Sequence, residues 1–441
     1  MMRTIQMKRS KRDISHFPEK KRRGIRPSES SLEKPPWNQA LRTLFAMAKY
    51  ETENSKTEKS LTLGNLFHQD LPRAIFIPFY PSSFNDAFRF VNNEKYRIFN
   101  IPKSSNNSKR FLVPLRNCCI AGNQLPILVH ELPSEFLLVH WRNWCHHFVE
   151  PVIKTVDEGL QNDNVCITLF PLEAISKQKH AVEPEMHYDI LKKSAIPETG
   201  APHPKYFNET YVEFPCMIKI DQSLSGYGNY VVQNREKFRE KLKWITERFG
   251  SDAIYVISEY IQEVQSTIDC GFYVTKSGNI IYLGVQECVV NKDFGCSGGS
   301  VDWDMQDKYR ERVYDKFVVP VAKYLHNKGY FGMVGIDIIT SLRGDYLVDL
   351  NPRINGNTAY LILASTMAKL GLTKSRYEIC VTFNITSEEL VKKANSINEE
   401  NLSSRIIIMA AVDEGEKCHA AISIFSDSEE MVDSLCAELC R

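Results

Sequence analysis

The chain is 441 residues long, 43% hydrophobic and 25% charged, with a formal net charge of +1. That length holds two or three domains of the usual ~100–200 residues, and the composition suits a globular protein with a large core. The charge balance excludes a polyanion binder acting by overall charge. No uninterrupted apolar run reaches the roughly 18–20 residues of a membrane span, and no apolar leader core follows Met1.

The twelve cysteines are scattered, without a Cys-x-x-Cys pair or zinc-finger spacing. Cys166, Cys216, Cys288 and Cys380 sit in apolar runs as small hydrophobes. This usage fits a reducing, cytoplasmic compartment.

Residues 1–60 read as a disordered tail carrying the basic clusters Lys8–Arg12 and Lys20–Arg23. Such clusters would also allow nuclear import or nucleic-acid contact, the less favoured readings. Ala40–Ala48 has helical spacing. Residues 61–180 read as a small α/β domain. Its expected strands are the apolar runs Ala74–Phe79, Phe111–Leu115, Pro126–His130, Phe136–His140 and Val165–Phe170. Helices are expected at Ser83–Val91 and Trp141–Glu158, which makes the pattern of a covered parallel sheet. The adjacent His146 and His147 would diverge by about 100° on a helix and are not read as metal ligands.

A helix at Glu183–Lys193, with Pro184 in its first turn, opens a second module spanning 181–372. Phe214–Ile220 is a buried strand whose single Lys219 needs an anionic partner. The small-residue loop after it places Ser225, Gly226 and Gly228 where backbone N–H groups can wrap phosphate oxygens. It lacks the Gly-Lys-Ser/Thr of a Walker loop. A helix Glu236–Phe249 follows, then a strand Ala253–Glu259 that runs into a polar bend at Tyr260, Ile261 and Glu263. Cys270–Lys276 and Ile280–Gln286 form a hairpin. Asn291–Ser300, with three glycines, reads as a flexible loop suited to a lid. Its Cys296 has the chemistry of a nucleophile but no base nearby in sequence. Asp302–Lys328 reads as one long helix closed by Gly329. Residues 373–441 read as strand, helix, two strands and helix, a small α+β unit without chemistry of its own.

The stretch Gly335–Asn357 carries the strongest chemical signal. Two β-branched runs flank a turn at Arg343–Asp345, and Asp337, Asp349 and Asn351 interrupt them. Asp349 and Asn351, two apart, share a strand face, and Asp337 can join them from the neighbouring strand. Two carboxylates and a carboxamide oxygen are hard ligands suited to magnesium held together with phosphates. Arg353 follows as an anion holder, and Asn355 and Asn357 can face a substrate.

In this order the parts resemble the ATP-grasp superfamily of carboxylate–amine ligases, over about residues 180–370. Val348–Arg353 is the specific part, with Lys219 and its glycine loop, the Ser258–Ile261 bend and His187–Ser194 in support. The resemblance implies an ATP-grasp fold of mixed α/β and α+β character, with a pre-ATP-grasp α/β domain in front and a small C-terminal α+β unit behind. It implies ATP bound by Lys193, Lys219, Ser225, Gly226 and Gly228, with adenine at Glu259, Tyr260 and Ile261 and ribose at Glu263. It implies magnesium, with manganese as a substitute, on Asp337, Asp349 and Asn351, and Arg353 and Lys219 in catalysis. Aspartate stands at two positions where many members carry glutamate. The implied reaction joins a small carboxylic acid to an amine through an acyl phosphate, releasing ADP. Carboxylation, thioester formation and a non-catalytic nucleotide-binding regulator are the rivals. A homo-oligomer is compatible with all of these.

Overall fold

The computed structural model describes residues 61–81, 90–99, 108–161, 164–223, 226, 228–250, 254–291 and 294–441. The basic tail, the expected helix at Ala40–Ala48, residues 83–89 of the helix expected at Ser83–Val91, and Ser225 lie outside the described residues, and Phe90 and Val91 are not helical.

Among the described residues the strands form three sheets. In the first, β1 (Ala74–Ile77), β2 (Ile127–Val129), β3 (Ile153–Thr155) and β4 (Val165–Thr168) run parallel in the order β3-β2-β1-β4. β1 and β2 are buried throughout, as expected of strands covered on both faces. The second sheet is antiparallel: β5 (Tyr206–Phe207), β6 (Cys216–Ile220), β7 (Asn229–Val232) and β8 (Tyr255–Glu259), in the order β5-β8-β6-β7. The helix Arg235–Phe249, capped by the Asn234 side chain on the Lys237 N–H, turns Phe238 and Ile245 inward to the core of this unit.

The third sheet has eight antiparallel strands in the order β13-β12-β9-β10-β11-β14-β16-β15. They are β9 (Val264–Val274), β10 (Ile280–Val290), β11 (Cys296–Asp302), β12 (Gly332–Ser341), β13 (Gly344–Asn351), β14 (Lys374–Phe383), β15 (Ser404–Glu414) and β16 (Lys417–Ser426). β14 pairs with β11, so the last strands of the chain extend the sheet that carries Asp337 and Asp349. The helices Ser108–Ala121 and Glu135–Trp144 share one hydrophobic core with β15, and Trp141 donates its indole N–H to the Ile408 carbonyl at 2.8 Å.

Five local expectations change. Phe111–Leu115 lies inside the helix Ser108–Ala121, which accommodates Pro114, and not in a strand. Phe136–His140 is also helical, within Glu135–Trp144. Its buried Leu137, His140 and Trp141 stand three and four apart, a helical stripe that a short apolar run conceals. The helix expected over Trp141–Glu158 ends at Trp144, and past Pro151 the chain forms β3 and then the short helix Val156–Leu160. Of the loop expected at Asn291–Ser300, the part from Cys296 onward is β11, whose glycines pack against neighbouring strands. Residues 302–328 are helical in pieces: Trp303–Met305, Gln306–Val313, a π-turn Tyr314–Val318, and Val319–Asn327. Pro320, which lacks an N–H and would press on the carbonyl four residues back, stands two residues past the end of that π-turn.

Candidate active site

The site forms where the second sheet meets the β12–β13 edge of the third. Lys219 sits mid-strand on β6, 8% exposed, and donates from Nζ to the Val348 carbonyl at 2.8 Å. Val348 is free to accept because it is the extra residue of a β-bulge: Asp337 pairs with Asp349, but Ile338 pairs with Leu347. Burial lowers the Lys219 amine to about 8, with Asp349 opposing and Lys193 reinforcing that shift.

Lys193 opens the 3₁₀ segment Lys193–Thr199 after the helix Pro184–Ile190. Its Nζ lies 3.0 Å from Asp349 Oδ1. Asp221 holds the segment in place by accepting from the Ser194 N–H at 2.7 Å and its hydroxyl at 2.9 Å. Burial alone would raise the Asp349 carboxyl, but Lys193, Lys219 and Arg353 outweigh it and keep it below the usual range.

Asp337 stands opposite Asp349 on one side and Asp269 of β9 on the other, so three aspartates line up across three adjacent strands. Burial and both neighbours push the Asp337 carboxyl well up. Burial also raises Asp269, although it accepts from Gln286 Nε2 at 2.9 Å and Asn355 Nδ2 at 2.8 Å. A row of carboxylates with this appetite for positive charge fits a divalent cation. Among the described residues, no three His, Cys, Asp or Glu side chains converge as a ready metal cluster. Asp337, Asp349 and Asn351 would therefore form a partial ligand set, to be completed by phosphate oxygens or water, as magnesium sites usually are.

Asn351 accepts from Arg353 Nη2 at 2.7 Å. The Nε and Nη1 of Arg353 are buried without hydrogen-bond partners among the described residues, and its guanidinium lies over the Phe170 ring at 4.9 Å. A planar cation held by aromatic stacking, with two N–H groups unspent, is equipped to receive an anion. The helix Pro184–Ile190 supports this corner, since His187 donates from Nε2 to the Pro352 carbonyl at 2.9 Å.

Asn355 organises the turn behind Arg353. Its Oδ1 accepts from the Asn357 and Thr358 N–H groups at 3.0 and 2.9 Å, and so starts the helix Thr358–Met367. To reach Asp269 its amide must cross β12 at Gly335, where a Cβ would collide with Asn355 Nδ2.

The glycine loop after β6 holds Gly226 and Gly228 at φ +75° and +89°, in the left-handed region. A side chain at Gly226 would run into the Phe294 carbonyl, so this loop and the short loop before β11 touch. At the hinge, Glu259 ends β8, half-buried Tyr260 and buried Ile261 follow, and the chain passes to β9. Glu263 lies at the exposed rim, with its carboxylate 3.6 Å from Arg343 Nε.

The structure thus brings Lys193, Lys219, Asp337, Asp349, Asn351 and Arg353 together, and sets Glu259–Glu263 along the hinge beside them. The sequence reading missed Asp269, Gln286 and Asp221. Asp269 carried the same signal as Asp337, a carboxylate inside an apolar strand. Cys296 lies 4.0 Å from Asn357 Oδ1 and 3.4 Å from the Gly298 carbonyl, and its thiol also pairs with that of Cys288.

Residues 200–351 match the family model described as L-aspartate–L-methionine ligase, ATP grasp. The fold is similar to the biotin carboxylase–βγ-ATP complex from Campylobacter jejuni, at 11% identity and TM-score 0.50, over 82% of this chain and 89% of that one. It is similar to the biotin carboxylase domain of 2-oxoglutarate carboxylase from Hydrogenobacter thermophilus, at 11% identity and TM-score 0.50, over 83% and 89%. N5-carboxyaminoimidazole ribonucleotide synthetase from Thermus thermophilus aligns at 14% identity and TM-score 0.45, over 71% and 91%.

Proposed function

We propose that this chain, an ATP-grasp enzyme by its fold and its matched segment, is an ADP-forming carboxylate–amine ligase that joins amino acids through an acyl phosphate. The observation that carries this reading is the convergence of Lys193, Lys219, Asp337, Asp349, Asn351 and Arg353 at one sheet junction. In the reaction, a carboxylate oxygen of the acid substrate attacks the γ-phosphorus of ATP and ADP leaves. The amine substrate then attacks the acyl carbon, inorganic phosphate leaves, and the nitrogen gives up a proton.

Lys193 and Lys219 place positive charge beside Asp349, where the phosphates of ATP would lie. Gly226 and Gly228, held in the left-handed region, can turn their backbone N–H groups toward those phosphates. Tyr260 and Ile261 offer the hinge to adenine, and Glu259 or Glu263 an acid to ribose. Asp337, Asp349 and Asn351 would hold magnesium, or manganese in its place, which offsets charge on the transferring phosphoryl group. Arg353 holds the acid substrate's carboxylate and then its phosphorylated form through its two unspent N–H groups. The name of the matched family supports α-amino acids as the substrates. Among the described residues no helix is long and apolar enough to cross a membrane, which is compatible with a cytoplasmic enzyme.

The test is ADP and phosphate release from ATP with magnesium over pairs of free L-amino acids. Pair-dependent ADP is expected, and Asp349→Ala should lower it on the order of 10²–10³-fold, the usual loss for one electrostatic group. AMP as the product, or ADP that depends on bicarbonate and needs no amine, would overturn the ligase reading.

A further inference from the structure

Arg116 has no role in the site described so far. It lies on the helix Ser108–Ala121 of the N-terminal α/β region and is 3% exposed. Among the described residues its buried Nε has no hydrogen-bond partner and no carboxylate forms an ion pair with the guanidinium. A buried guanidinium without a counter-ion is costly and uncommon. Its surroundings point to a ligand site more than to packing. The guanidinium lies 6.0 Å from the centre of the Tyr360 ring, at the limit of a cation–π contact, and pairs with the Tyr360 hydroxyl, a neutral partner that leaves its charge unbalanced. Its Nη2 sits 3.6 Å from where a Cβ on Gly356 would stand. Gly356 lies between Asn355, bonded to Asp269, and Asn357, which touches Cys296. Cys296 in turn feels the positive charge of Arg116. Contacts therefore lead from the Asp337–Asp269 row through the Asn355–Asn357 turn to Arg116.

We infer that Arg116 anchors the free carboxylate of an α-amino acid, the one that supplies the amine and keeps its own carboxylate when the new bond forms. Gly356, Asn357 and Tyr360 form the adjoining wall. This divides the work of two buried arginines. Arg353 sits next to Asn351, at the edge of the carboxylate row, and serves the carboxylate that is activated. Arg116 stands beyond the turn and serves the carboxylate that is not. A planar guanidinium can meet that carboxylate with two parallel hydrogen bonds, so an α-carboxamide of the same amino acid would lose both the charge and one acceptor. The identity of the ligand as amine donor rests on the ligase reading, whereas the carboxylate anchor itself can be tested without turnover.

The experiment measures thermal shifts of the full chain, loaded with magnesium and a non-hydrolysable ATP analogue, on adding single free L-amino acids or their α-carboxamides. At least one free amino acid should raise the melting temperature while its carboxamide does not. Arg116→Gln should weaken that binding on the order of 100-fold, as expected when one partner of a buried charged pair is removed, and keep the shift given by the nucleotide. Arg116→Lys should retain part of the binding. Equal shifts from acid and carboxamide, no shift from any free amino acid, or undiminished binding in Arg116→Gln would overturn the proposal. If Arg116→Gln loses the nucleotide shift as well, the acid–carboxamide comparison on the unaltered chain decides. Amino-acid binding that depends on Arg116 without ADP release would leave the anchor standing and remove the ligase reading.

Discussion

Asn355 reaches Asp269 across β12, with 2.8 Å between amide nitrogen and carboxylate, and it can do so only because residue 335 is glycine. The backbone of Gly335 is ordinary strand, paired with Gly271 and Asn351, so the need is for space and not for unusual torsion angles. Gly335→Ala should displace the Asn355 amide and cost about 1–3 kcal/mol by overpacking. Because Asn355 also holds the turn behind Arg353, turnover should fall with it. Asn355→Ala should produce much of the same loss, and the double variant should be clearly less than additive, as for two residues in contact. Urea denaturation and ADP release on the three variants check this, and strict additivity would separate the two residues.

The glycine loop gives a second prediction. Gly226 has φ +75° and faces the Phe294 carbonyl with no room for a side chain. Gly226→Ala therefore meets both backbone strain, about 1–2 kcal/mol for a left-handed non-glycine residue, and a collision with the neighbouring loop. The KM for ATP should rise while the helix Arg235–Phe249 and the strands of its sheet remain folded. Circular dichroism together with nucleotide titration would show whether the loss is confined to binding.

Lys219 should impose an alkaline limit on nucleotide binding. Its amine is lowered to about 8 by burial, against the pull of Asp349, so in the free enzyme its charge disappears as pH rises through that value. Above it, affinity for ATP should fall by up to tenfold per pH unit, less any part of the binding that does not need the charge. Lys219→Arg, which stays protonated, should flatten the alkaline limb even where overall affinity drops. A pH-independent ATP affinity between about 7 and 9.5 in the unaltered chain would contradict the assignment of Lys219 to the phosphates.

What could be read from the sequence was the chemistry that interrupts a strand. Lys219 in β6 and Asp337, Asp349 and Asn351 in β12 and β13 stand out because a charge or amide inside an apolar run needs a reason. Pairing across strands could not be read, because it depends on register. The bulge that turns the Val348 carbonyl toward Lys219 and the alignment of Asp269 with Asp337 arise from backbone hydrogen bonds between distant segments. The misassigned N-terminal helices fail for another reason. Phe111–Leu115 and Phe136–His140 are too short for either period to dominate, and their state is decided by packing against β15, almost 270 residues further on in the case of the His140–Ile408 contact.

That contact leads to the last prediction. His140 is fully buried, accepts at Nε2 from the Ile408 N–H at 2.9 Å, and meets Asn395 Oδ1 with Nδ1 at 2.6 Å. Because a backbone N–H can only donate, Nε2 must be unprotonated and Nδ1 must carry the hydrogen, which fixes the neutral tautomer. Burial lowers the imidazole from 6.5 to about 4, with the Asn395 hydrogen bond opposing the shift. In the unfolded chain the ring takes up a proton near pH 6.5, while the folded chain resists until about 4, so the unfolded state binds more protons across that window. Stability contributed by His140 is thus present above pH 6.5 and lost as pH falls toward 4, to the extent of roughly 3 kcal/mol at about 1.4 kcal/mol per pH unit. His187, buried and also lowered to about 4, adds a slope of the same sign. His140→Gln should lower stability at pH 7, because the fit to both partners is lost, yet remove one histidine's share of the acid-dependent slope, to which His146 and His180, also lowered, contribute with the same sign. Urea midpoints at several pH values between 7 and 4 decide the matter: an unchanged slope in the variant would mean that the ring is protonated in the folded chain and that the Ile408 N–H has another acceptor.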